Sequence, residues 1–446
     1  MSVARPSGFT PRRVVVTGVG AVSAFGWGVE PLWNGLRSAA TAILPFDRFA
    51  HDRHRTHLAA QVPPGGQPAA LVGGASAARR QWSMADRFAL AAGREALRSA
   101  GLGSWLAAAD SADAADGAEG FDTVDRDETA VFFGSSTGGM WESEAFLAWL
   151  LGDAGTRCER GRGPSLHSLA SQQVNGPGDA VARYFGVTGP VQTVSSACAS
   201  GALAIGEALA AVRWGEAEVA LAGGADSLCE LTYAGFNALR SVDEVACRPF
   251  RAGRAGMSFG EGAAVLVLEP LARALARGAV PIAELGGAGA ACDAYHMTAP
   301  EPGGRGAEAA IAAALVDAGL APDDIDFVNA HATGTPLNDA AEWHAMERVF
   351  GQRARRIPVT ATKAAVGHLL GSSGALEAVV TALSLQRGEL HPVPAGEGGV
   401  DEACPVALVM GEPLPLPRAR AGVSTSLAFG GSNAALVFTR WVGGRP

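Results

Sequence analysis

Two stretches of this chain begin and end alike. Ser200-Gly201-Ala202-Leu203 opens a run that closes at Gly215-Glu216, and Ser373-Gly374-Ala375-Leu376 opens another that closes at Gly388-Glu389. The spacing from first serine to closing glycine is 15 in both. Glycine past the end of an apolar periodic run is a helix stop, so each stretch reads as a helix of equal length with the same opening. The recurrence implies that the chain repeats one plan, with the halves at residues 1–270 and 271–446. A length of 446 residues agrees, being more than a single compact core usually takes.

Each half is built from short apolar runs ending in glycine or bounded by turns, such as Val14-Val15-Val16-Thr17-Gly18, Ala130-Val131-Phe132-Phe133-Gly134, Val219-Ala220-Leu221-Ala222-Gly223 and Ala264-Val265-Leu266-Val267-Leu268. Runs this short and rich in β-branched residues predict strands buried on both faces. Helical stretches lie between them. Residues 83–100 open on the capping-box spacing Ser83-x-x-Asp86 and stop at Gly101, and Asp339-x-x-Glu342 is read as the same start for a helix running to Gly351. Alternating strands and helices predict an α/β fold. Residues 63–78 and the acid-rich stretch 106–128 read as surface loops.

Composition narrows the function. A net charge of −9 argues against nucleic acid as main partner. The six cysteines include no CxxC pair, which fits reduced cytoplasmic usage rather than disulfides or a zinc site. No apolar run is long enough for a membrane span, and the N-terminal segment lacks the apolar core of a signal peptide, so a cytoplasmic location is expected.

The chemistry concentrates at a few turns. In Thr193-Val194-Ser195-Ser196-Ala197-Cys198-Ala199-Ser200-Gly201, Cys198 falls between a strand and the first of the repeated helices. Free N–H groups and the helix dipole there favour a thiolate, and small neighbours leave room for a substrate carbonyl. His331 follows the strand in Asp326-Phe327-Val328-Asn329-Ala330-His331, while Lys363 and His368 precede the second repeated helix. Two neutral imidazoles among small residues can donate N–H bonds to a carbonyl oxygen that becomes an enolate. Lys363 can fix that geometry by pairing with a carboxylate, for which Glu377 is the candidate. His51, His54 and His57 stand at metal-ligand-like spacing but in a charged loop, and no metal site is expected.

These motifs carry a resemblance. Ser196-Ala197-Cys198-Ala199-Ser200-Gly201, the run Asn329-Ala330-His331-Ala332-Thr333-Gly334-Thr335-Pro336-Leu337-Asn338-Asp339, Lys363-x4-Gly367-His368-Leu369-Leu370-Gly371 and Phe429-Gly430-Gly431-Ser432-Asn433 occur in the order seen in β-ketoacyl-acyl-carrier-protein synthases of the elongating type II branch. Asp293-Ala294-Tyr295-His296-Met297-Thr298-Ala299-Pro300 matches the same branch, and the resemblance spans about Arg13 to Phe438. It implies a duplicated thiolase-like fold with five αβαβα layers and mixed sheets. The nucleophile lies in the first half, and the two histidines and the lysine in the second. It implies Cys198, His331, His368 and Lys363 as the catalytic set, with Glu377 pairing with Lys363 and with Asp339 and Glu342 as supporting acids. Phe429 resembles a gate over the nucleophile, and its N–H with that of Cys198 resembles an oxyanion hole. Thr137 matches a position whose bulk limits an acyl pocket across a dimer.

The implied activity is that of a 3-oxoacyl-[acyl-carrier-protein] synthase: decarboxylative Claisen condensation of a malonyl-carrier with a Cys-bound acyl chain, in fatty acid or polyketide-type elongation. It requires no cofactor. The implied partners are acyl- and malonyl-loaded carrier proteins, docked through Arg79, Arg80 and Arg240, and a second copy of the chain or a chain-length factor. A ketosynthase subunit of a type II polyketide or polyene system is the alternative.

Two departures stand out. The family pattern has an Asp after Arg-Pro-Phe and another before the next turn's Gly, where this chain has Arg251 and Ala255. Leu427-Ala428 stands before Phe429 where the family favours Phe-Gly. A remote rival is an NAD-dependent oxidoreductase, from Gly18-Val19-Gly20 after a strand; the third glycine of that fingerprint is missing, and Asp47 lies beside Pro45 instead of at a strand end.

Overall fold

A computed structural model describes residues 10–68, 71, 82–103, 126–152 and 172–443. Arg79, Arg80, Cys158 and nearly all of the acidic stretch lie outside the described residues.

The strands of the main sheet are β1 (Val14–Ser23), β2 (Thr129–Gly134), β3 (Val191–Val194), β4 (Val219–Asp226), β5 (Gly262–Pro270), β6 (Ala283–Cys292), β7 (Phe327–Asn329), β8 (Pro358–Thr360), β9 (Ala407–Leu408), β10 (Ala421–Leu427) and β11 (Ser432–Arg440). Their spatial order is β9-β8-β7-β10-β11-β6-β1-β5-β4-β2-β3. Outward from β1, the neighbours are antiparallel β5, antiparallel β4, then parallel β2 and β3. Outward from β6 the pattern repeats with antiparallel β11, antiparallel β10, then parallel β7 and β8. The two sets meet where β1 and β6 pair through Val15–Glu284 and Val16–Ala283.

Five helices fix the layering: α1 (Met84–Ser99), α2 (Ser200–Trp214), α3 (Arg305–Ala318), α4 (Pro336–Phe350) and α5 (Ser373–Arg387). α1 packs on β1 and β5, and α3 packs on β6 and β11. Between the two sets of strands lie α2 and α5, touching each other and both sets. This is the αβαβα stack of a thiolase-like fold. Burial explains it: β1, β2, β4, β5 and β10 have every residue buried, as strands covered on both faces must. The repeated helices end as their sequences predict, at Gly215 and Gly388, each with left-handed φ.

Local expectations fare unevenly. Ser83 and Asp86 form the reciprocal capping box that opens α1. The start of α4 differs: it begins at Pro336, capped by the Thr335 side chain accepting from the Asn338 N–H. Asp339 and Glu342 are therefore interior residues of α4, both fully buried. Gly18 and Gly20 sit within β1 instead of on a phosphate-binding turn. A Cβ on either would lie 2.1 Å from the Ala96 carbonyl oxygen or 2.0 Å from that of Ala92, so they are glycine because α1 lies against the strand. That removes the sequence basis of the oxidoreductase reading. His51 Nδ1 and His57 Nδ1 lie 3.0 Å apart and His51 Nε2 faces the Phe46 carbonyl, so the loop histidines bond locally.

Candidate active site

Three turns at the strand ends deliver the candidate side chains, and each contains a non-glycine residue with positive φ: Ala197 (45°) before Cys198, Ala332 (43°) after His331 and Leu370 (52°) beyond His368. Such conformations cost free energy and persist where the surroundings over-determine them. Here the restraints are visible. The Ala197 carbonyl accepts from Ser200 Oγ at 2.6 Å and Ser136 Oγ at 3.0 Å. Glu342 accepts from the N–H groups of His331 and Ala332, both at 2.7 Å, and from Thr425 Oγ1 at 2.7 Å. Asp339 accepts from the N–H of Gly334 at 3.1 Å and of Phe250, another positive-φ residue, at 2.8 Å. The two acids of α4 thus hold backbone around the site.

The turns converge. The sulfur of Cys198 and one ring nitrogen from each of His331 and His368 lie within 4.8 Å of one another, and all three residues are buried. The imidazole planes are nearly perpendicular, with centroids 5.3 Å apart.

Their hydrogen bonds decide the tautomers. Lys363 Nζ can only donate, so His331 Nδ1 accepts from it at 3.0 Å. The Leu370 N–H can only donate, so His368 Nδ1 accepts from it at 3.2 Å, and Ser373 Oγ adds a second bond at 2.8 Å. Both rings therefore carry their proton on Nε2 when neutral. His368 Nε2 is buried with no partner. Burial first, then the Lys363 charge, holds both histidines well below the usual imidazole range, so they are neutral donors. A ring nitrogen that carries a proton offers no lone pair, so in this tautomer the two imidazoles present N–H donors to the cavity.

Lys363 also forms a buried ion pair with Glu377. Burial pushes Glu377 up to about 7, while the ammonium pulls it down. Cys198 departs from the sequence expectation. Burial pushes its thiol up to about 11, outweighing the downward pull of Lys363 and of the N–H groups of Phe429 and Cys198. The helix N-terminus does not by itself make a resting thiolate here. Those same two N–H groups converge on the sulfur, where an oxyanion of a Cys-bound acyl group would form.

A cavity of about 320 Å³ opens over this cluster, lined by Cys198, His331, His368, Phe429 and, toward its mouth, Leu239 and Arg240. Phe429 stacks on Phe236 at 5.3 Å, and Leu427 and Ala428 continue the wall. Arg240 is exposed, with φ of 54°. Thr137 does not line this cavity; its hydroxyl and N–H both donate to Asp226 at 2.8 Å.

Asp226 is the residue that sequence reading missed. It is buried and also accepts from Ser135 Oγ at 2.8 Å and the Ser372 N–H at 3.1 Å, tying the strand ends of the first half to the start of α5. The signal was present: an acid ending an otherwise apolar strand, Val219 to Asp226. Ser373, which bonds His368, was noted only as the start of the repeat.

Comparisons with known proteins place the chain in a family. Residues 11–274 match the beta-ketoacyl synthase N-terminal domain and residues 282–397 the beta-ketoacyl synthase C-terminal domain. The chain is 36% identical over 440 residues to 3-oxoacyl-[acyl-carrier-protein] synthase 2 of Staphylococcus aureus (strain COL), covering 96% of this chain and 99% of that one. Among solved structures it is similar to the ishigamide ketosynthase/chain length factor, with a TM-score of 0.85, 31% identity and coverage of 97% of this chain and 100% of that one. A beta-ketoacyl synthase from Burkholderia phymatum STM815 follows with a TM-score of 0.81, 32% identity and the same coverage.

Proposed function

The chain belongs to the β-ketoacyl synthase family, and on that premise we propose that it is a 3-oxoacyl-[acyl-carrier-protein] synthase with Cys198 as nucleophile and His331 and His368 as the decarboxylating pair. The observation that carries the assignment is the shared tautomer: Nδ1 accepts on both imidazoles, which leaves an Nε2–H on each ring in a cluster that includes Cys198 Sγ.

Cys198 attacks an acyl-carrier thioester; the acyl group moves to sulfur and the thiol proton leaves with the carrier thiol. Malonyl-carrier then enters. The two Nε2–H groups bond its thioester carbonyl and stabilise the enolate as CO2 departs. The carbanion attacks the Cys-bound carbonyl, whose oxygen is received by the Cys198 and Phe429 N–H groups; collapse of the adduct breaks the acyl C–S bond, releases the 3-oxoacyl-carrier and returns Cys198 as a thiolate that takes a proton from water. Losing one such donor typically lowers turnover by about 10²–10³. Lys363 sets the His331 tautomer and lends its positive charge, and Glu377 holds Lys363. Asp339 and Glu342 are positioning acids. No step requires a cofactor. On this reading residues 1–270 supply the nucleophile and residues 271–446 supply the two histidines and lysine.

The partner is an acidic carrier protein, with exposed Arg240 as one docking cation; Arg79 and Arg80 are the other two proposed from the sequence. The protein acts in the cytoplasm as a homodimer in which Thr137 limits the acyl pocket across the interface. Among the described residues no helix is long and apolar enough to cross a membrane. The likeness to the ishigamide ketosynthase/chain length factor favours a second reading, a ketosynthase paired with a chain-length partner. Size-exclusion chromatography with neighbouring gene products separates the two.

The decisive test uses two variants. Cys198→Ala is expected to lose acyl transfer and condensation, whereas Cys198→Gln still releases CO2 from malonyl-carrier. Intact elongation by Cys198→Ala sinks the assignment. Mass spectrometry of products from a panel of acyl-carriers then gives the chain length.

A further inference from the structure

The turn after Phe250 places a cation where the family pattern has an acid. From Arg248 to Met257 it contains three arginines and no carboxylate. Arg254 is compensated, lying 3.4 Å from Asp339 and 2.5 Å from Asp401. Arg251 is not. It is 4% exposed, yet its Nη2 donates only to the Pro394 carbonyl at 3.0 Å and toward the Met410 sulfur at 3.5 Å. Among the described residues no acid lies within ion-pair distance of it. A guanidinium does not shed its proton in a protein, so a buried one without a counter-charge is a standing cost. Arg248 adds to it. Its Nη2 reaches Asp243 at 3.3 Å, but its Nε is buried and unpartnered. Burial and the Arg248 charge together weaken Arg251's hold on its proton.

Both side chains line a second cavity, of about 590 Å³, which shares only Ala255 with the cavity over Cys198. Two of its acids are engaged, Asp243 by Arg248 and Glu244 by Arg55 at 3.0 Å. Glu397 is exposed on the rim loop. The geometry points to an anion-binding site in this cavity, held by Arg251 and Arg248 and suited to an oxyanion of the phosphate class. Such an anion offers several divergent oxygens to two guanidinium groups, supplying the counter-charge Arg251 lacks and an acceptor for the Arg248 Nε–H, which a halide does not. The site stands apart from the condensation chemistry. One wall, however, is Cys247, whose sulfur bonds the Lys363 carbonyl at 3.4 Å.

The experiment titrates full-length protein with inorganic phosphate, exchanged against chloride at constant ionic strength, and follows Tm and binding calorimetry. The expected result is a saturable calorimetric isotherm, with a rise in Tm of about 2 °C at ten times the half-saturating concentration. Arg251→Met abolishes the response. If that variant misfolds by circular dichroism, Arg251→Lys decides: it keeps the charge but loses the fork, and half-saturation should move upward by about fivefold or more. A parallel arm with glycerol 3-phosphate separates a site for free phosphate from one for an organic phosphate. No saturable response in the wild type to either anion, or an unchanged half-saturation in Arg251→Lys, overturns the proposal.

Discussion

Lys363 meets two demands with one ammonium group. It donates to His331 Nδ1, so that the proton on that ring sits on Nε2, and it pairs with Glu377 out of water. The two roles separate by mutation. Lys363→Met leaves Glu377 buried without its partner; removing one member of a buried pair costs about 3–5 kcal/mol, softened where the carboxyl takes up a proton, since burial already pushes it to about 7. The double variant Lys363→Met with Glu377→Met is expected to recover most of that stability in urea unfolding, yet to remain slow in CO2 release from malonyl-carrier by about 10² or more. If the double variant regains decarboxylation, Lys363 is a structural ion-pair partner only. The same ammonium acts on Cys198. It pulls down a thiol that burial pushes to about 11. Alkylation of Cys198 should therefore keep accelerating with pH well above neutrality, and the Lys363→Met profile should shift to higher pH. An unchanged profile would mean that the lysine charge does not reach the sulfur.

At the scale of elements, the strand ends act as a platform on which several buried polar groups satisfy one another. The end of β8 shows this. Thr362 Oγ1 donates to Asn329 and also faces His391 Nε2 at 3.1 Å, while His391 Nδ1 faces the Pro392 carbonyl at 3.0 Å. Burial holds His391 at about 4, below the unfolded value of 6.5. With the folded pKa depressed, the unfolded chain binds the proton first. The contribution to stability is full above pH 6.5 and is lost as pH falls toward 4. Relative to His391→Gln, wild-type stability should decline by about 1.4 kcal/mol per pH unit within that window. Parallel urea-unfolding curves for the two proteins between pH 7 and 4.5 check this, and equal slopes would contradict it.

Much of this platform was legible in the sequence because buried strands and helix stops are local signals. The runs at 14–18, 130–134, 219–223 and 264–268 all fall in strands, and Gly215 and Gly388 end helices. What sequence could not separate was two uses of one pattern. Asp339-x-x-Glu342 has the spacing of a cap, yet Thr335 and Pro336 open the helix and the acids turn inward to hold His331, Ala332, Gly334 and Phe250. Asp226 differs again: the sequence marks an acid at the end of an apolar strand but not what that acid holds. Its partners, Ser135, Thr137 and Ser372, are distant in sequence and no spacing links them. The raised Cys198 thiol likewise depends on burial by the second half, which no reading of residues 193–201 supplies.

At the scale of the whole molecule, the repeat that first suggests duplication is also where the halves touch. A Cβ on Gly201 of α2 would lie 2.8 Å from the Ala375 nitrogen and 3.1 Å from its Cβ; a Cβ on Gly374 of α5 would lie 2.9 Å from both the nitrogen and Cβ of Ala202. The contact is reciprocal: each repeat's glycine meets the other repeat's alanine, as a two-fold relation between the halves requires. Cys198 stands just before α2, and His368 just before α5. The distance between nucleophile and imidazole is thus set by how closely two helices approach at two glycines. A Cβ on Gly374 would also lie 2.7 Å from Ser426 Oγ, so Gly374→Ala should displace that hydroxyl as well as force the helices apart, at a cost of about 1–3 kcal/mol. Its effect on chemistry should be selective. Alkylation of Cys198, which needs the thiol and its local charge but no alignment with the imidazoles, should change less, whereas condensation, which needs that alignment, should fall by about 10² for a displacement near 1 Å. Measuring the two rates on one preparation distinguishes this from general destabilisation. A variant that loses both rates equally, or neither, would show that the helix contact does not set the reaction distance.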